Sequence, residues 1–260
     1  MAMTRLHGQS DYTPTKQEHL RGILTYCSMA WNLRNKPWAH DELVVIDCTA
    51  GAGHDEQGNP GSPLIFHDYL SRMNDGRFRM LCCEADTKRA DKLQQTALGS
   101  DARVTIANTP FQDTIESWLN GLRLHKRRSK VLGWVYCDPN GAQGLIGNYD
   151  VFNRLSVEWR ALDFVFHFSL TAYNRNRGVG AEWAQDDVID QCDRLRNLKG
   201  YAKARLPKDK WRWVMFHLLN TPRIDGRWNG EDIYEYDTWR SLAFLPRGAS
   251  SPVLQPALFA

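Results

Sequence analysis

The stretch Val45-Ile46-Asp47-Cys48-Thr49-Ala50-Gly51-Ala52-Gly53 decides the reading of this chain: an apolar run that reads as a buried strand ends in an acid and passes into a glycine-rich turn. Glycines at a strand end let the backbone approach a ligand closely, because no Cβ stands in the way. A dinucleotide-binding fingerprint would place a third glycine at position 56, where Glu56 stands instead, and a carboxylate there repels a pyrophosphate. No Gly-Lys-Ser/Thr follows the turn, so phosphate-loop chemistry fails as well. What remains is a ligand without phosphates near the turn, and a cationic sulfonium nucleoside fits that description.

Working outward, short apolar runs alternate with helix-like stretches, the pattern of strands joined by crossover helices into a largely parallel α/β sheet. Residues 15 to 34 place Leu20, Ile23, Leu24, Cys27 and Ala30 or Trp31 at helical spacing, and Pro37 stops that helix. Strands are expected at Leu43 to Cys48, Arg79 to Glu84, Arg103 to Ala107, Val131 to Cys137 and Ala161 to Leu170. Helices are expected at Asp68 to Met73, Thr87 to Ala97, Asp113 to Leu122, Asp150 to Glu158 and Val188 to Leu198. The strands are nearly continuously apolar, as strands covered by helices on both faces should be. Trp211 to Leu219 and Trp239 to Leu245 read as a final antiparallel pair joined by the polar segment 220 to 237.

The chain has 260 residues, 42% of them hydrophobic and 24% charged, which is ordinary globular chemistry and excludes fibrous or disordered classes. No internal repeat or linker interrupts it, so one domain over residues 1–260 is the economical reading, with a core at 15–170 and a C-terminal elaboration at 171–260. Its apolar runs are far shorter than the roughly 20 residues of a membrane span, so no membrane association is expected. The N-terminal residues lack the apolar core of a secretory signal, which together with six cysteines forming no CxxC points to a reducing cytoplasmic setting. Four of those cysteines fall in strand-like runs and read as small buried hydrophobes, leaving no metal site expected.

Four strand ends carry polar or glycine-rich segments, and in open α/β sheets ligands bind outside the carboxyl ends of the strands. The second strand ends at Glu84, whose carboxylate can accept both hydroxyls of a ribose; otherwise it is a solvated acid at a strand end. The third runs out at Asn108, at an adenine edge or as a plain turn former. The fourth ends at Asp138-Pro139-Asn140-Gly141. Each is weak alone, since Asp-Pro and Asn-Gly also mark turns. Their shared placement carries the inference.

The order of acidic strand end, Ala-Gly-Ala-Gly turn, Glu84 and Asp-Pro-Asn-Gly resembles the class I S-adenosylmethionine-dependent methyltransferases. More narrowly, the segments Asp47 to Gly53, Gly58 to Leu64 and Asp138 to Gly141 are similar to those of the three-Cys-motif partner proteins, over roughly residues 15 to 170. The resemblance implies a Rossmann-like doubly wound, mostly parallel sheet with an antiparallel C-terminal strand pair, and S-adenosylmethionine as cofactor. It implies that Asp47, Ala50, Gly51 and Gly53 contact the methionine portion, Glu84 the ribose and Asn108 or a neighbour the adenine. Asp138, Pro139 and Asn140 would be catalytic, standing where amino-group methyltransferases carry an Asp/Asn-Pro-Pro-aromatic loop that accepts hydrogen bonds from the target amine. Here Asn140-Gly141 replaces Pro-aromatic, removing the ring that would stack on a flipped base.

The net charge of +3 conceals an uneven distribution. Arg123, Lys126, Arg127, Arg128 and Lys130, with His125, form one basic run, and Arg194, Arg196, Lys199, Lys203, Arg205, Lys208, Lys210 and Arg212 form a second. Such runs are solvated helix faces or phosphate-binding surfaces, and Trp183, Trp211, Trp213, Trp228 and Trp239 among them add rings on which single-stranded DNA or RNA can stack. Nucleic acid is therefore the expected partner of a methyltransferase. A catalytically inactive relative that binds nucleic acid or a partner protein is the alternative, and a nicotinamide oxidoreductase a third. His54 and Asp55 lack a third metal ligand in view, His167 ends the fifth strand facing either substrate or core, and no Gly-x-Ser-x-Gly elbow supports a hydrolase. The insertion Gly58-Asn59-Pro60-Gly61 reads as a lid or a long surface turn.

Overall fold

A computed structural model describes residues 17, 18, 20–22, 24, 42–72, 78–122, 131–139, 143–169, 185–199, 201–205, 213–219 and 233–237. The strands are β1 (Glu42–Asp47), β2 (Phe78–Cys83), β3 (Val104–Ala107), β4 (Val131–Cys137), β5 (Leu162–Ser169), β6 (Tyr201–Arg205), β7 (Trp213–Leu219) and β8 (Ile233–Glu235). The helices are α1 (Ser62–Ser71), α2 (Thr87–Gln94), α3 (Ile115–Gly121), α4 (Gln143–Ile146), α5 (Tyr149–Glu158) and α6 (Gln185–Arg196). The strands form one sheet in the order β3-β2-β1-β4-β5-β7-β6-β8. β1 to β5 run parallel, while β7 is antiparallel to β5 and to β6. This is a Rossmann-like doubly wound sheet with an antiparallel C-terminal strand pair, as expected.

Alternate residues of β1, β2, β4, β5 and β7 feed two apolar layers, which is why those strands read as nearly continuous apolar runs. Val44, Ile46, Leu81, Cys83, Val135, Phe164 and Phe166 pack on the side of α3, α5 and α6. Leu43, Val45, Met80, Cys82, Trp134, Tyr136 and Val165 pack on the other side, against α1, Leu93 of α2, and Leu20 and Leu24. Cys48, Cys82, Cys83, Cys137 and Cys192 are free and buried, and burial pushes the thiols of Cys48, Cys82, Cys83 and Cys192 up, that of Cys83 to about 12.

The last strands differ from the sequence reading. β7 occupies its expected place, but its antiparallel partners are β5 and β6, and β6 lies within the second basic stretch. Alternating charges at 203 and 205 mask a strand in which Ala202 and Ala204 are buried. Segment 220 to 237, expected to be a connection, contains β8 pairing with β6; residues 239 to 245 lie outside the described residues. Helix α1 also starts six residues earlier than its expected onset at Asp68, because Gly61-Ser62-Pro63 sets its first turn.

At the centre of the sheet Gly133 faces Val44 across the β1–β4 ladder. A Cβ there would lie 1.9 Å from the Val44 carbonyl oxygen and 3.0 Å from Leu162 Cδ2. Gly133→Ala is expected to cost about 3 kcal/mol, because two backbones must separate to admit one methyl group. A urea midpoint unchanged from wild type would contradict this close strand approach.

Candidate active site

β2, β1 and β4 are neighbours, and β1 connects outward to β2 while β4 starts the other half, so the cleft at their carboxyl ends is a topological switch point. Three carboxylates meet there. Asp47 closes β1, and Glu84 and Asp138 stand one residue past β2 and β4. Strand alternation puts all three on the α1 side of the sheet, together with His167 at the end of β5.

The glycine turn hangs between its neighbours by two main-chain bonds, Cys48 N to Tyr136 O at 2.8 Å and Ala50 N to Cys83 O at 3.0 Å. Ala50 itself is buried. Gly51 and Gly53 have φ of +67° and +85°, left-handed values that tolerate no side chain cheaply. At Gly53 a Cβ would meet Leu93 Cδ1 and Thr96 Cγ2 at 3.1 Å, so this glycine also admits the end of α2. At Gly51 nothing lies within 4 Å, and its missing side chain faces open space.

Asp47 is fully buried; its Oδ2 accepts from Ser62 Oγ at 2.6 Å and its Oδ1 from Thr49 N at 3.1 Å. Burial pushes this carboxyl up to about 7; the two hydrogen bonds oppose that push, and the charges of Asp138 and Glu84 reinforce it. Glu84 is 6% exposed, accepting from Gly51 N at 2.9 Å through Oε2 and from Asp86 N at 2.9 Å through Oε1, with Arg89 Nη2 3.2 Å from Oε1. It thus clamps the glycine turn to the end of β2. Asn108 is exposed, donates from Nδ2 to Glu84 O at 2.9 Å and accepts from Thr87 Oγ1 at 3.0 Å, so its side chain braces the β2 and β3 ends.

Asp138 N donates to Thr49 Oγ1 at 2.9 Å, and Asp138 Oδ2 accepts from Tyr136 OH at 3.3 Å. Burial, then the Asp138 charge, hold the Tyr136 phenol well above its usual range, so it stays a donor. His167 is buried with Nδ1 2.6 Å from Asp138 Oδ1, which favours the core placement over the substrate-facing one. Pro139 packs against α4, where a Cβ on Gly144 would come within 2.5 Å of Pro139 Cβ. Asn140 lies outside the described residues.

Gly58 to Gly61 belongs to a compact turn rather than an open lid. His54 bridges Pro60, and Asp55 accepts from the N–H groups of Gln57 and Asn59 and from Asn59 Nδ2 at 2.8 to 2.9 Å. Both oxygens of Asp55 are engaged in shaping the turn. Among the described residues no group of three or more His, Cys, Asp or Glu converges as a metal site.

No protein-family model and no curated protein matches this sequence. Solved structures do match. Protein LPL1258 from Legionella pneumophila superposes with a TM-score of 0.51 at 12% identity, over 78% of this chain and 85% of that one. The likeness is one of fold. Lower-scoring matches are an S-adenosylmethionine-dependent methyltransferase from Agrobacterium tumefaciens, TM-score 0.47 and 11% identity over 85% of this chain and 66% of that one, and the magnesium protoporphyrin IX methyltransferase of Synechocystis with bound S-adenosylmethionine, TM-score 0.42 and 13% identity over 82% and 86%.

The basic runs fare differently. Arg123, Lys126, Arg127, Arg128 and Lys130 lie outside the described residues. In the second run Lys199 is buried, donates from Nζ to the Arg160 and Ser156 carbonyls at 3.3 and 3.5 Å, and is pushed down to about 8 by burial. It caps the end of α5 and is no surface cation. Arg194 lies over the Tyr149 ring at 4.6 Å. Trp213 opens β7, while Trp183, Trp211, Trp228 and Trp239 lie outside the described residues. No described helix is long and apolar enough to cross a membrane.

Sequence reasoning missed Ser62 as the donor to Asp47, and Thr49, Tyr136 and Arg89 as partners of the other two acids. The available signal was physical: a buried carboxylate demands donors, and the quoted segments offered the Ser62 hydroxyl and the Thr49 N–H.

Proposed function

We propose that this chain is an S-adenosylmethionine-dependent methyltransferase acting on a nucleic acid, built as one elaborated domain of the kind seen in the three-Cys-motif partner proteins. The observation that carries the reading is the convergence of Asp47, Glu84 and Asp138 around a glycine turn that opens at Gly51. A glycine turn flanked by three acids, with no anion-binding loop among the described residues, suits a cation bearing a ribose. Those residues fit S-adenosylmethionine: Glu84 for the ribose hydroxyls, Gly51 and Gly53 for close backbone approach, Asp47 for the charge beneath the turn, and Asn108 beside the adenine. When bound it would supply an electrophilic methyl group.

The chain's own contribution is positioning. Asp138 and the Pro139 carbonyl accept hydrogen bonds from the acceptor amine and aim its lone pair, and Asn140 completes that loop. Arg123, Lys126, Arg127, Arg128 and Lys130 supply cationic charge for phosphates. The second reading is a cofactor-fold protein that binds nucleic acid or a protein partner without catalysis, favoured by Asn140-Gly141 in place of Pro-aromatic.

Isothermal titration with S-adenosylmethionine and S-adenosylhomocysteine tests the cofactor; the reading is sunk if neither produces heat. Tritium transfer to pooled DNA and RNA tests the acceptor, and binding to both pools without transfer selects the second reading. A labelled single strand should bind at least about tenfold more weakly at 200 mM than at 50 mM salt. Salt-independent binding would remove that phosphate-binding role.

A further inference from the structure

We propose that Thr49 is a positioning residue that clips the acceptor loop to the cofactor turn. The inference rests on the reading of these two segments as cofactor and acceptor sites. The main-chain ladder between β1 and β4 ends with Asp47 opposite Tyr136 and one further bond, Cys48 N to Tyr136 O. Beyond it the two chains diverge into the glycine turn and the Asp138-Pro139 loop. At that divergence Thr49 makes two bonds: its N–H donates to Asp47 Oδ1 at 3.1 Å, and its Oγ1 accepts from Asp138 N at 2.9 Å. The hydroxyl takes the place of the next ladder carbonyl, joining residues 89 positions apart in sequence. Because Tyr136 OH and His167 Nδ1 hold the Asp138 carboxylate from the other side, the Thr49 bond fixes the backbone from which that carboxylate projects.

A valine at 49 has the shape of threonine without the acceptor, and serine has the acceptor without the methyl group. Hydrogen exchange followed by mass spectrometry on peptides covering 138 to 146 reads the clip directly. Without ligand, Thr49→Val is expected to exchange about tenfold faster there than wild type, Thr49→Ser to match wild type, and peptides from β4 to be unchanged in both. With S-adenosylhomocysteine, wild type and Thr49→Ser gain protection in both the turn and the loop, whereas Thr49→Val gains it in the turn alone. Equal exchange of wild type and Thr49→Val in the loop overturns the clip. So does faster exchange in Thr49→Ser equal to that in Thr49→Val. If Thr49→Val does not fold, Thr49→Ala, which also lacks the acceptor, takes its place. Failure of wild type to bind any adenosyl ligand defeats the cofactor reading instead, while the ligand-free comparison still decides the clip.

Discussion

Between pH 4 and pH 8 wild type is expected to lose on the order of 4 kcal/mol of stability that an Asp47→Asn variant retains. The carboxyl of Asp47 ionises near 3.8 when exposed, and burial pushes it to about 7 in the folded protein. The folded state therefore holds a proton through this window that the unfolded state has released. Stability rises with pH only where the unfolded state binds more protons, so here it falls. The contribution is fully present below about 3.8 and is lost as pH rises through about 7. Asparagine keeps an oxygen for Thr49 N and an amide that donates to Ser62 Oγ, so the variant preserves the turn without the titration. Urea midpoints of both proteins at each pH unit measure the difference; parallel curves would show that Asp47 is ionised throughout. The same linkage predicts that a cation bound at the turn binds more tightly as pH rises toward 8, since it favours the ionised acid.

The sheet was legible in the chain because β1, β2, β4 and β5 are buried on both faces over most of their length. Val131 to Cys137 matches β4 residue for residue, since an apolar run bounded by a charged segment and by Asp-Pro leaves no other boundary. β6 was not legible: Tyr201-Ala202-Lys203-Ala204-Arg205 pairs on both edges, yet its alternation of small and basic residues reads as a solvated stretch. Pairing with β7 and β8, which no local pattern announces, is what makes it a strand.

At the site, the positions of Asp47, Glu84 and Asp138 followed from strand ends, because a parallel sheet fixes which ends adjoin. What holds each acid did not follow. Ser62 reaches Asp47 only after the Asp55-centred turn folds residues 54 to 60 back on themselves, bringing Gly61 N within 2.7 Å of Gly53 O. Lys199 shows the reverse error. Composition counts it as a surface cation, whereas its position after α6 buries its amine against the carbonyls that close α5.

Asp138→Ala is expected to lower methyl transfer to the labelled nucleic acid by about 10²- to 10³-fold while leaving S-adenosylhomocysteine affinity within about threefold of wild type. The split follows from geometry. The Asp138 carboxylate is a quarter exposed and stands on the β4 side of the cleft, whereas the turn at Gly51 is held by Glu84 from the β2 side. Removing it also strips an acceptor from Tyr136 OH and from His167 Nδ1, at a cost of about 1 to 3 kcal/mol in stability. The rate must therefore be compared at a temperature where both proteins are folded. Asp138→Asn separates the two effects, because its amide oxygen still accepts from Tyr136 while the negative charge is gone. A rate loss shared by Ala and Asn assigns the effect to charge at the acceptor nitrogen; recovery in Asn assigns it to loop geometry held through Tyr136. Transfer within about tenfold of wild type in both variants would remove Asp138 from the chemistry and leave the proposed acceptor contacts of this loop to the Pro139 carbonyl and Asn140.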